Sequence, residues 1–259
     1  MQYNNIKLEQ GSGVATLRLN RPGALNALSP ALLQEVSQAL TAVAADETVK
    51  ALVVRGEGRS FCAGADLLFF EEAFNQPDRL AHYLKLLNGC MFQMEELPVP
   101  VIAVVHGYAL AGGLELALAC DMALAAEDAR LGDQHANFGL MPGGGSTQRL
   151  PRRIGMQRAM ELLTTGRWLL GSEAAAWGLV LRAVPAAELD AELEKLLAPL
   201  RSKSRAGLGW IKSVARRGQD LALRDGIALE SLAFVQYVAT SPHPKEGIQA
   251  FKEKRQPVF

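Results

Sequence analysis

The chain has 259 residues, 49% of them apolar, enough to bury a sizeable core without disulfide or metal staples. Its 27 lysines and arginines balance 27 aspartates and glutamates, so no overall field draws it onto nucleic acid or an anionic membrane. Cys62, Cys90 and Cys120 lie far apart with no CxxC pair, a pattern of reduced packing thiols that offers neither a disulfide framework nor a zinc site.

The polar segment Met1 to Gln10 lacks the layout of a secretory or transit peptide, and a cytoplasmic location is expected. Val14 to Leu19 alternates as a half-buried strand and runs into the turn Asn20-Arg21-Pro22-Gly23. Ser29 is placed to cap a helix with Pro30 at its first position and Leu32, Leu33, Val36, Leu40 and Val43 at helical spacing. Ala51 to Arg55 is a strand, Gly56 to Asp66 a glycine-bearing loop, and Glu71 to Leu97 largely helical with a break at Asn75-Gln76-Pro77-Asp78. The apolar run Val101 to Val105 fits a strand covered on both faces. Two prolines, three glycines and a histidine interrupt the uncharged stretch Leu97 to Leu114, which excludes a membrane span there. A short apolar helix, Leu114 to Ala119, follows Gly112-Gly113; then come a strand, Asp121 to Ala126, a glycine-rich turn, Met141 to Gln148, and a helix, Gln148 to Ile154. This alternation implies an α/β fold with parallel pairing. Beyond residue 188 the texture is helical, over Asp190 to Arg201, Arg205 to Val214 and Leu221 to Val238. The expected organisation is therefore a core over 1–188 and a helical region over 189–259.

Familiar nucleotide, hydrolase and metal signatures fail. There is no GxxxxGK[ST]; Gly56-Glu57-Gly58 lacks a third glycine; GxSxG would need glycine where Gln148 stands; and HExxH is missing. No metal and no separate cofactor are expected. What remains is a pair of strand exits, Ser60 to Asp66 and His106 to Glu115, each delivering a glycine turn to the edge where parallel sheets bind ligands. If Gly112 opens a helix, its N–H is an orphan donor backed by the helix dipole; joined by an N–H of the Cys62 to Asp66 loop, it would make an oxyanion hole. Glycine turns at strand ends are common in α/β chains, so spacing alone does not carry that reading.

Four segments in order make the pattern specific: Asn20-Arg21-Pro22-Gly23-Ala24-Leu25-Asn26-Ala27-Leu28, Phe61-Cys62-Ala63-Gly64-Ala65-Asp66-Leu67, Gly107 to Ala117 with Gly112-Gly113-Leu114-Glu115, and Pro142-Gly143-Gly144-Gly145-Ser146-Thr147-Gln148-Arg149-Leu150. Together they resemble the successive signatures of the enoyl-CoA hydratase/isomerase, or crotonase, family over nearly the whole chain. The resemblance implies a ββα spiral core, a C-terminal helical region that builds trimers or hexamers, and a CoA thioester as substrate. It assigns the oxyanion donors to the N–H groups of Ala65 and Gly112 and the water-activating carboxylate to Glu115. It places Ala24, Leu25, Ala63, Asp66 and Leu67 along the substrate and CoA path, with Phe251 and Lys254 reaching the nucleotide, in one arrangement across a subunit boundary.

The sequence departs from the family pattern at three places. The second family glutamate falls on His135, an imidazole that can also exchange protons near neutral pH; a lone histidine is otherwise more often an ordinary hydrogen-bonded side chain. A shifted loop register would put Asp133 there instead. Gly23 and Leu68 stand where many relatives carry lysine. The expected activity is reversible hydration of a 2-enoyl-CoA to a 3-hydroxyacyl-CoA. The alternatives are isomerisation, carbon–carbon bond hydrolysis, acyl-CoA binding with little catalysis, and a purely structural oligomer.

Overall fold

The structure, a computed structural model, describes residues 3–259; Met1 and Gln2, which head the polar N-terminal segment, lie outside them. Strands β1 (Ile6–Gly11) and β2 (Val14–Leu19) form an antiparallel hairpin. Its two turn residues, Ser12 and Gly13, both have positive φ (51° and 76°), as a two-residue hairpin loop requires. The sequence reading does not anticipate β1. As an edge strand it buries only Ile6 fully, and Lys7, Glu9 and Gln10 face water.

Helix α1 (Pro30–Ala45) starts where the capping pattern puts it, with Ser29 Oγ accepting from Leu32 N at 3.2 Å. Its buried stripe adds Ala39 to the five expected residues. Strand β3 (Ala51–Gly56) follows, then α2 (Leu67–Ala73) and α3 (Pro77–Glu96), interrupted at the expected proline. Strand β4 (Val101–Val105) is buried at every residue. After it come β5 (Tyr108–Leu110), α4 (Gly112–Ala119), β6 (Met122–Ala126) and β7 (Arg130–Gly132). The chain continues through α5 (Ser146–Ile154), α6 (Met156–Thr165), β8 (Leu169–Leu170), α7 (Gly171–Trp177) and β9 (Arg182–Val184).

The main sheet has the order β1-β2-β3-β4-β6-β9, and every neighbouring pair from β2 onward is parallel. Consequently the loops after β3 and β4 leave at one edge. A smaller sheet, β5-β7-β8, grows from these strand exits.

Four helices close the chain: α8 (Leu189–Arg201), α9 (Arg205–Gly218), α10 (Leu223–Thr240) and α11 (His243–Lys252), the last unanticipated. A buried lysine ties α9 to the core. Lys212 Nζ donates to Met94 O (2.6 Å) and Val99 O (3.1 Å) and pairs with Asp121 at 2.8 Å, so its charge is compensated where water is excluded. By contrast α10 buries only Ala233 and leaves Leu223, Leu232, Phe234 and Val235 exposed. Among the described residues no helix is long and apolar enough to cross a membrane.

Candidate active site

The loops leaving β3 and β4 are strapped to each other. Phe61 N donates to His106 O, Cys62 N to Tyr108 O and Leu110 N to Cys62 O, at 2.9, 2.9 and 3.1 Å. The far side of the first loop pairs with the turn after β2, through Ala63 N to Leu25 O, Leu28 N to Gly64 O and Asp66 N to Leu28 O. Helix α4 crowds so close that a Cβ on Gly113 would lie 2.0 Å from Cys62 O; only glycine fits there.

This strapping passes over two amides. Neither Ala65 N nor Gly112 N donates to any acceptor among the described residues. They lie side by side: a Cβ on Gly112 would sit 3.4 Å from Ala65 N, and one on Gly64 3.6 Å from Gly112 N. The residue before α4, Ala111, adopts φ 47° and ψ −118°, a backbone conformation that costs a residue with a side chain about 1–3 kcal/mol. Its own N–H is held by Gly132 O at 3.0 Å and its carbonyl accepts from Glu115 N at 3.0 Å, so the surrounding bonds enforce the strained turn that aims the Gly112 amide.

All eight residues of α4 are buried, Glu115 among them. Glu115 Oε1 accepts from Gly144 N (2.8 Å) and Ser146 N (3.1 Å), the amides of the glycine turn that opens α5. Arg149 locks that turn by donating to Gly144 O (2.8 Å) and Glu95 Oε1 (2.7 Å). Burial pushes the Glu115 carboxyl above the ordinary carboxylate range, and the charge of Asp133 adds to that; the Ser146 and Gly144 N–H groups and the charge of His135 oppose it without winning.

His135 opens a short 3-10 turn (His135–Phe138) after β7. Its Nδ1 lies 2.8 Å from Asp133 Oδ1, which also accepts from His135 N at 3.2 Å. Burial works against the imidazolium, but the hydrogen bond and charge of Asp133, with the charge of Glu115, outweigh it and hold His135 above its usual value.

One cavity of about 1300 Å³ is lined by Ala65, Gly112, Glu115 and His135 together. Ala24, Leu25, Ala63, Asp66 and Leu67 line it too. The Asp66 carboxylate is already engaged, capping α2 through Leu68 N and Phe69 N and pairing with Arg21 at 2.7 Å. Phe251 and Lys254 do not reach the cavity of their own chain, and the Phe251 side chain is exposed. Gly23 and Leu68 also line the wall, so those two lysine positions supply no cation.

Two features here are not anticipated from the sequence, and for a third the sequence points only to the stretch between Asp66 and Leu97 as shaping the pocket, without singling out side chains. The amides of Gly144 and Ser146 hold Glu115, and the glycine run before Ser146 was their only signal. From α2, the residue after it and α3, Phe70, Phe74, Leu80, Tyr83, Leu84 and Leu87 make a mostly apolar wall that Glu71 also lines. Arg59, exposed on the same cavity, makes no side-chain hydrogen bond or ion pair among the described residues. A lone arginine in a loop announces nothing in sequence.

Two unbonded backbone amides and a buried carboxylate lining one cavity of an α/β fold are an arrangement that can stabilise an oxyanion. The enoyl-CoA hydratase/isomerase family model matches residues 9–259, and the chain belongs to that family. It is 39% identical to the crotonyl-CoA hydratase of Syntrophomonas wolfei, covering 100% of this chain and 99% of that protein. It is 38% identical to the mitochondrial methylglutaconyl-CoA hydratase of Mus musculus, over 97% of this chain and 81% of that protein. The crystal structure of the enoyl-CoA hydratase from Bacillus anthracis superposes with a TM-score of 0.92 at 37% identity, covering 99% of both chains. The fold is thus the crotonase fold, with the C-terminal helices in place, and the chemistry is that of a lyase family acting on CoA thioesters.

Proposed function

We propose that the protein hydrates a 2-enoyl-CoA reversibly to the 3-hydroxyacyl-CoA. The observation that carries this reading is the pair of unbonded amides, Ala65 and Gly112, lining one cavity with Glu115. In the forward direction a water held by Glu115 attacks Cβ and gives its proton to the carboxylate. The π electrons move to the thioester oxygen, where the two N–H groups stabilise the enolate without reorganising. As the enolate collapses, Cα takes a proton from His135. Proton exchange through water then returns Glu115 and His135 to their starting states.

The wall that α2 and α3 build is mostly apolar and its charged member, Glu71, is acidic, and this favours an uncharged hydrocarbon acyl group over one ending in a carboxylate. Loss of the conjugated-thioester absorbance tests both readings on crotonyl-CoA, a medium-chain 2-enoyl-CoA and methylglutaconyl-CoA. Hydration of the uncharged esters with the higher kcat/KM is expected. Failure to hydrate any ester would remove the hydratase reading, and preference for methylglutaconyl-CoA would remove the acyl assignment alone.

The exposed apolar residues of α10, with Ile248 and Phe251 of α11, favour a homotrimer or a pair of trimers in which Phe251 and Lys254 serve a neighbour's CoA site. Light scattering should give three or six times the 27.9 kDa chain mass; a monomer would refute it. A histidine held by a buried aspartate also favours a second reading, hydrolysis of a carbon–carbon bond beside a carbonyl. Appearance of hydratase activity only in His135→Glu would support that alternative.

A further inference from the structure

The position of the absent family glutamate is filled by a pair of residues. Asp133 is fully buried, and both hydrogen bonds to its carboxylate come from His135, one from the backbone N–H and one from Nδ1. Its other oxygen, Oδ2, is buried with no hydrogen-bond partner among the described residues. A buried carboxylate in that state is costly unless a cation stands beside it. The carboxylate accepts, so Nδ1 must carry a proton, and Nε2 is left as the exchanging atom of a side chain that lines the cavity.

We propose that Asp133 is a positioning residue that grips His135 at Nδ1 and so fixes Nε2 as the atom that hands a proton to the substrate carbon. Asp133 touches no substrate. It acts by orienting the ring and by keeping it charged, which is what a proton donor to an enolate needs and a neutral imidazole lacks. The charged groups acting on His135 are Asp133 on its own loop and Glu115 from α4. On the side of α6 the contact is neutral, with Gln134 and Asn137 donating to Gly166 O at 2.6 and 2.8 Å. In the reaction, the His135 Nε2–H bond breaks as the Cα–H bond forms, and the proton Glu115 took from water later restores the imidazolium, so charge balances over one turnover.

The kinetic part rests on the hydratase reading, whereas the protonation of the pair does not. The first experiment therefore needs no substrate: titration of the His135 ring by NMR in the whole protein, its signal assigned by loss in His135→Gln. A midpoint above the ordinary histidine value is expected in the wild type, falling toward or below that value in Asp133→Asn. A wild-type midpoint at or below that ordinary value, or no change in the variant, would overturn the proposal. Should Asp133→Asn fail to fold, the wild-type titration still decides.

The second experiment is a double-mutant cycle on crotonyl-CoA hydration. Asp133→Asn should lower kcat by about 10²-fold with little change in KM, and should add almost nothing in a His135→Gln background. Losses that multiply would show that Asp133 acts independently of His135 and would defeat the positioning role. If the wild type hydrates no ester, the hydratase reading falls while the titration continues to test the pair.

Discussion

Gly144 donates its amide to Glu115 Oε1 at 2.8 Å while passing so close that a Cβ on it would lie 2.4 Å from Oε2 and 3.0 Å from Leu87 Cδ2. The same backbone thus orients the Glu115 carboxylate and limits where it can stand. Gly144→Ala must displace either the turn or the carboxylate, and a shift on the order of 1 Å in a catalytic group costs about 10²-fold in rate. A loss of that size in kcat is expected. Gly89→Ala, with nothing within 4 Å of the added Cβ, should leave kcat unchanged.

Glu115 also imposes a stability cost that depends on pH. Its carboxyl is raised in the folded protein, so between the unfolded value near 4.5 and the folded value the native state holds a proton that the unfolded chain has lost. Stability from this group is therefore full below about pH 4.5 and declines as pH rises through the folded value. Glu115→Gln keeps an oxygen for Gly144 N and Ser146 N but removes the charge. Urea unfolding should show the variant at least as stable as wild type at pH 8, with the difference closing toward pH 4, while its turnover drops about 10²-fold or more. A variant that loses stability most at high pH would contradict the assignment.

The two raised groups set a window for activity. The proposed mechanism needs Glu115 ionised and His135 protonated, so kcat/KM should rise with pH as the carboxyl ionises and fall as the imidazolium loses its proton, both limbs displaced upward from ordinary values. Because the groups sense each other, the midpoints belong to the pair. His135→Gln should abolish the falling limb; its persistence would assign that limb to another group.

Much of this arrangement is legible in the sequence. The apolar or alternating runs behind β2, β3, β4 and β6, the Ser29-Pro30 cap and the ordered glycine motifs each have a local cause and were readable, whereas the short strands β5, β7, β8 and β9 were not. The boundaries were less legible. Helix α4 begins at Gly112 and α5 at Ser146 because tertiary contacts supply what glycine and serine lack in helix propensity. Strand β1 hides in a polar edge sequence. The Asp133–His135 contact is local in sequence, but only the fold shows that His135 lines one cavity with Glu115.

With net charge balanced, a bound CoA would depend on individual cations for its phosphates, and Arg59 has no side-chain partner among the described residues. Asn26, buried, donates to Glu57 O and Ser60 O at 2.9 and 2.8 Å and so holds the loop carrying Arg59 against the turn of Ala24 and Leu25. Arg59→Ala should raise KM for crotonyl-CoA up to about fivefold at low salt, the usual worth of an exposed pair, with kcat unchanged and the effect fading as salt increases. Equal KM values at low salt would place the phosphates elsewhere.

A crystal structure of the protein with a saturated, unreactive acyl-CoA bears most directly on the oxyanion pair. The thioester oxygen is expected within about 3 Å of both Ala65 N and Gly112 N, with the acyl β-carbon beside Glu115. A thioester oxygen hydrogen-bonded to neither amide, or lodged outside the cavity, would contradict the account at its root.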